Sequence, residues 1–137
     1  MGYISLYGDQ LMLASLLTPD ASVSVGTFYV ALLTDLPDKN LTDASQLNEP
    51  LAAYSYVRQS YNSGYDNWSS SVGVFYNTKD IVWPTPTGDW GRVVGWALCD
   101  SLAAGNIIAI GVLSPESTIS AYSNVYIPSN SLRLKLV

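Results

Sequence analysis

The side chains of this chain that could do chemistry are one thiol and eleven carboxylates. Cys99 sits inside the apolar run "RVVGWALC", where a thiol stays protonated and packs as a small hydrophobe. A single cysteine closes no intrachain disulfide and completes no zinc site. The chain has no histidine, which removes the usual general base and the centre of most catalytic triads. Paired carboxylates would suit a glycosidase. However, nine of the eleven are Asp, mostly in turns beside Gly, Pro, Asn or Ser, where a short carboxylate accepts from local backbone N–H groups. Glu49 before Pro50 and Glu116 after Pro115 read as loop residues. "DLPDKN" at 35–40 is the best oxygen cluster for calcium, yet it lacks the spacing and central glycine of an EF-hand loop. "TPTGDWG" at 85–91 has two glycines but no phosphate-binding lysine, and it opens no helix. The expectation is no enzyme, no metal and no cofactor.

Recognition is the remaining class of function. The formal net charge is −5 and the six Lys and Arg are scattered singly, so no cationic cluster exists to displace counterions from phosphates. Nucleic acid is therefore not an expected partner. "LMLASLL" is far below the roughly 20 apolar residues of a membrane span, and the start lacks the basic region of a signal peptide. Only 12% of residues are charged, about half the usual share. Such a surface is weakly protected against association, so a partner is expected to cover part of it. Tyr61, Tyr65 and Trp68 are interleaved with Asn62, Ser63, Gly64 and Asn67, the composition of recognition surfaces. That loop suits a protein contact or sugar stacking, unless its rings fold back onto the core.

The elements that must position these groups are mostly strands. Apolar spacing over residues 3–17 predicts a short N-terminal helix, ended by Thr18-Pro19. This gives an arm over 1–20, with Tyr3, Leu6 and Leu11 as contact residues, followed by one domain over 21–137. Strands are predicted at 27–34, 53–61, 72–77, 81–84, 92–99, 106–113, 125–128 and 131–137, with 62–71 as a loop. Leu132, Leu134 and Leu136 alternate with Arg133 and Lys135, which is the period of a strand with one wet face. The fold class is all-β: an antiparallel sandwich or jelly roll with a short N-terminal helix.

Several residues stand in an ordered pattern. These are Tyr56 and Arg58; Trp83 and Pro84; Thr87, Gly88, Asp89, Trp90, Gly91 and Val93; Asp100; Gly105 and Asn106; Gly111 and Leu113; and Ile127, Pro128 and Leu132. The pattern resembles a group of small tailed-phage virion proteins, labelled tail-fibre, head-decoration or structural proteins, and it covers most of the chain. The segment "SAYSNVYIP" departs from the Gly-Asp turn usual before the last strand. The resemblance implies a non-enzymatic virion protein. The first reading is a capsid decoration (cement) protein on the outer shell, a homotrimer or homodimer bound to the major capsid protein. The alternative is a tail-fibre or baseplate component binding a host-surface glycan. Physically, the motif reads as architecture. Gly88 and Gly91 allow unusual backbone angles, Asp89 bonds turn N–H groups, and Trp90 plugs one end of the sandwich. Trp96 enters the core, and Asp100 holds the following connection.

Overall fold

The computed structural model describes residues 3–5, 27–38, 40–62, 68–71 and 74–135. The strands are β1 (Tyr3–Ile4), β2 (Thr27–Leu33), β3 (Gln59–Asn62), β4 (Trp68–Ser71), β5 (Val74–Asn77), β6 (Ile81–Val82), β7 (Gly91–Cys99), β8 (Ile107–Ile119), β9 (Tyr126–Ile127) and β10 (Arg133–Lys135). They form antiparallel sheets of five strands (β1-β8-β7-β2-β3), three strands (β10-β5-β4) and two strands (β6-β9). The fold is all-β, as the alternation and turn signals imply.

The period of two decides where each side chain goes. In β2, Val30 and Leu32 face one side and Ala31 and Leu33 the other, and all four are buried. Their β7 partners follow suit: Val30 lies opposite Leu98, Leu32 opposite Trp96, and Ala31 opposite Ala97. Val30, Leu32, Trp96 and Leu98 join Ile81, Trp83, Trp90, Ile127 and Leu132 in the main core, with Trp68 and Leu134 packed against it. This layer lies between the large sheet and the two smaller ones. Ala31, Leu33, Ala97, Cys99, Ile107 and Ile110 cover the other face of the large sheet, under Ala44 and Leu47. Val30–Leu33 of β2 and Gly95–Cys99 of β7 are thus buried on both faces, and those stretches are accordingly apolar throughout.

Three expectations are corrected. Tyr3–Ile4 is not the start of a helix. It is an edge strand paired with Ile110 and Ala109, and it covers backbone groups of β8 that would otherwise lie open. The expected helix from residue 6 onward, with Leu6 and Leu11, lies outside the described residues. The strand expected at 53–61 begins only at Gln59, because a 3-10 turn occupies Ala52–Tyr54 and Ser55 adopts a left-handed conformation. Trp68–Ser71, expected within a loop, is a strand paired with β5.

Candidate functional site

The carboxylates come first, because catalysis would need one of them free. Each described Asp accepts a backbone N–H: Asp35 from Leu36, Asp38 from Asn40, Asp43 from Ser45, Asp80 from Ser129, Asp89 from Ala121 and Asp100 from Asn106. Hydrogen bonds from Ser45 hold the Asp43 carboxyl below its ordinary range. Glu116 pairs with Arg92 on the surface. Glu49 is not a simple loop residue, since it accepts from both Nε and Nη2 of the buried Arg58, at 3.0 and 2.9 Å. The remaining Arg58 donors reach the carbonyls of Ser101, Ala104 and Ala44 at 3.0, 2.8 and 3.1 Å. All five guanidinium N–H groups are used. Burial opposes the charge on Arg58, but the Glu49 hydrogen bond and carboxylate outweigh it and raise its pKa.

Tyr56 completes this knot. Its hydroxyl donates to Glu49 Oε1 at 2.6 Å and accepts from the backbone N–H of Leu32 at 3.0 Å. Burial first, then the Glu49 carboxylate, pushes the phenol far above the usual tyrosine range. The Cys99 thiol is buried and is pushed up to about 12, mainly by burial, so it is not a nucleophile near neutral pH. Among the described residues no group of three His, Cys, Asp or Glu side chains could hold a metal ion. No helix among them is long and apolar enough to cross a membrane.

The "TGDWG" turn holds neighbouring loops in place. Gly91 has φ +85°, a left-handed angle that favours glycine. Gly88 has a different reason from the expected backbone angle: a Cβ there would come within 2.4 Å of the Tyr54 ring. Trp90 is buried, donates its indole N–H to the Tyr54 carbonyl at 2.9 Å, and meets Tyr56 edge to face. Trp96 is buried in the main core. Asp100 also accepts from the side chain of Asn106, across the β7–β8 connection.

Asp89 has a longer reach. By holding Ala121, it fixes the turn before β9, which Tyr122 N–H fastens to the Pro86 carbonyl at 2.8 Å. The buried Asn77 does the same for the turn after β9, accepting from Leu132 N–H and donating to the Pro128 carbonyl. Between these turns and β8 lies a groove of about 340 Å³. It arises because β8 leaves register with β7. Val93 pairs with Ser117 and Gly95 with Val112, so Val94 alone stands against Leu113 to Glu116. Such bulges bend a strand and re-aim its side chains, and Pro115, which lacks an N–H, fits the broken ladder.

The groove has an apolar floor, including Leu32, Trp83, Val93, Val125 and Ile127, and a rim bearing Ser117, Thr118, Asn124, Tyr126 and Ser131. No lining residue is charged. Of the residues expected at contacts, Tyr61 and Trp68 do not line it. Tyr61 is only 7% exposed, accepts a hydrogen bond from Lys79 N–H, and packs edge to face on Trp68, which in turn meets Phe28. The rings at both ends of that loop fold onto the core, and Tyr65 lies outside the described residues. Tyr3 is placed at the edge of the large sheet by its backbone. Sequence reasoning passed over the groove because its rim comes from three short, individually bland segments.

No curated protein gives a significant match. A family model described as "Podophage GP4 fiber I protein gp80" matches residues 3–135. That span includes the Arg58 knot, the "TGDWG" turn and the groove alike, and the chain belongs to this podophage fibre protein family.

Proposed function

We propose that this chain is a non-enzymatic component of a phage tail fibre and that it serves attachment to a host-surface glycan. The family match over residues 3–135 carries the reading. It speaks for the fibre alternative rather than for capsid decoration, so the weight moves from the outer shell to the tail. The chemistry supports binding over turnover. The described Asp residues bond backbone, Glu49 and Glu116 are paired with arginines, and the thiol is buried. The uncharged groove, apolar at its floor and polar at its rim, supplies a surface of the kind that attachment needs.

Antibody labelling of purified particles, with quantitative mass spectrometry of the same sample, tests the location. The expected result is label on the tail and a copy number far below that of the major capsid protein. Label spread over the head, with a copy number close to that of the shell, would overturn the reading.

A further inference from the structure

The groove between the bulged part of β8 and the turns flanking β9 has three properties that together select a ligand. Its lining carries no Asp, Glu, Lys or Arg, so a charged ligand would lose hydration there with no counter-charge to replace it. Its lining includes Ser117, Thr118, Asn124 and Ser131, residues with hydroxyl or amide side chains. None of these four side chains makes a hydrogen bond among the described residues, whereas Ser45, Ser101 and Ser123 satisfy theirs locally. Tyr126, 54% exposed, is a further lining residue. The floor below is apolar.

We propose that this groove is the saccharide site and that its occupant is a neutral sugar, free of carboxylate, sulfate and phosphate. This rests on the attachment reading above and adds the location of the site and the class of ligand. A neutral pyranose has hydroxyls round its edge and C–H groups on its faces. Hydroxyl and amide groups of the rim meet the edge through hydrogen bonds that need no charge. The Tyr126 ring and the apolar floor meet the C–H face, since the negative face of an aromatic ring attracts polarised C–H groups. The volume is near the lower end of the roughly 300–1,000 Å³ of ligand pockets, so a short stretch of glycan fills it. The rim is held in advance by Asp89, Asp80 and Asn77 through backbone hydrogen bonds, which lowers the ordering cost of binding.

The test is a glycan array of bacterial surface saccharides, neutral and acidic, probed with the full chain and with three variants. Ser117→Trp and Ser131→Trp fill the groove from exposed positions, and Tyr126→Ala removes the ring. Circular dichroism and unfolding midpoints confirm that each variant is folded. Binding to neutral saccharides, weakened tenfold or more in both tryptophan variants and severalfold in Tyr126→Ala, is the expected result. Neutral-saccharide binding unchanged in both tryptophan variants would overturn the groove and leave glycan attachment standing. Binding confined to acidic saccharides would overturn the ligand class. A tryptophan variant that changes the oligomeric state would show an interface between copies of this chain instead. Should the intact chain bind no saccharide at all, the attachment reading fails together with the groove.

Discussion

Arg58 and Glu49 meet through two parallel hydrogen bonds, of 3.0 and 2.9 Å, with the arginine side chain almost wholly buried. The pair gathers Ala44, Ser101 and Ala104 around one guanidinium and ties the segment before β3 to the β7–β8 connection. Removing one partner of such a pair strands the other charge and several carbonyls. Arg58→Ala is expected to lower stability by about 3 kcal/mol, the lower end for buried pairs because Glu49 keeps some contact with water. Arg58→Lys should fall short of the parent, since three ammonium donors cannot serve five acceptor positions in a planar fork. Urea unfolding measures both. A loss under about 1 kcal/mol for Arg58→Ala would place the pair with surface salt bridges. Arg92→Ala, at the exposed Arg92–Glu116 pair, is the control and should leave the midpoint near that of the parent.

Two buried tryptophans differ in one hydrogen bond. Trp90 donates to the Tyr54 carbonyl, whereas the Trp83 indole N–H has no partner among the described residues. Replacement by Phe removes a similar volume at each site, but only Trp90→Phe breaks a bond, leaving the Tyr54 carbonyl with Thr87 N–H as its one donor. Trp90→Phe should therefore cost about 1 kcal/mol more than Trp83→Phe. Equal losses in denaturant unfolding would contradict this.

The buried Cys99 and Tyr56 make stability sensitive to alkali. Both folded-state pKa values lie above the values of free groups, about 9 for the thiol and 10 for the phenol. A raised folded pKa means that the unfolded chain releases the proton first, so stability falls as pH rises. The contribution is complete below pH 9. For Cys99 it is lost progressively between pH 9 and about 12. Unfolding midpoints measured across that window should decline, and Cys99→Ala should decline less steeply. A thiol reagent should label native protein at pH 8 far more slowly than unfolded protein. Rapid labelling, or an unchanged slope in Cys99→Ala, would contradict the burial argument.

The sequence made the large sheet legible because Thr27–Leu33, Gly91–Cys99 and the first half of β8 are branched and aromatic, with turn residues between them. It hid what depends on contacts between distant residues. Tyr56 and Arg58, two apart, were visible as a pair, but their partner Glu49 stood beside Pro50 and looked like a loop residue. Extended spacing that puts a tyrosine and an arginine on one face, with a lone acid a few residues away, is the signal that would have found it. Tyr3–Ile4 carried a helical spacing, yet the open edge of β8 decided its conformation. Trp68–Ser71 looked like loop because three serines have little strand preference, and pairing with β5 overrode it. The groove rim could not be read from sequence, because Ser117, Asn124 and Ser131 meet only through a bulge and two turns.

A second exposed region bears on assembly. Leu51, Val57 and Leu102 are substantially exposed, and Val57 and Leu102 line a cleft beside the Arg58 knot, with Pro50 and Ala52. Clustered apolar side chains of this kind mark contact surfaces. If copies of this chain associate through them in a fibre, Leu51→Glu with Leu102→Glu should convert the oligomer into a smaller species in light scattering coupled to size exclusion. An oligomer of unchanged mass would move the contact elsewhere.

Attachment through sugar is tested most directly on cells. Labelled full-length chain is titrated onto the cells that its phage infects, before and after mild periodate oxidation of surface sugars. Saturable binding to untreated cells, abolished by oxidation, is the predicted result. Equal binding to oxidised and untreated cells would contradict it, as would the absence of binding to either.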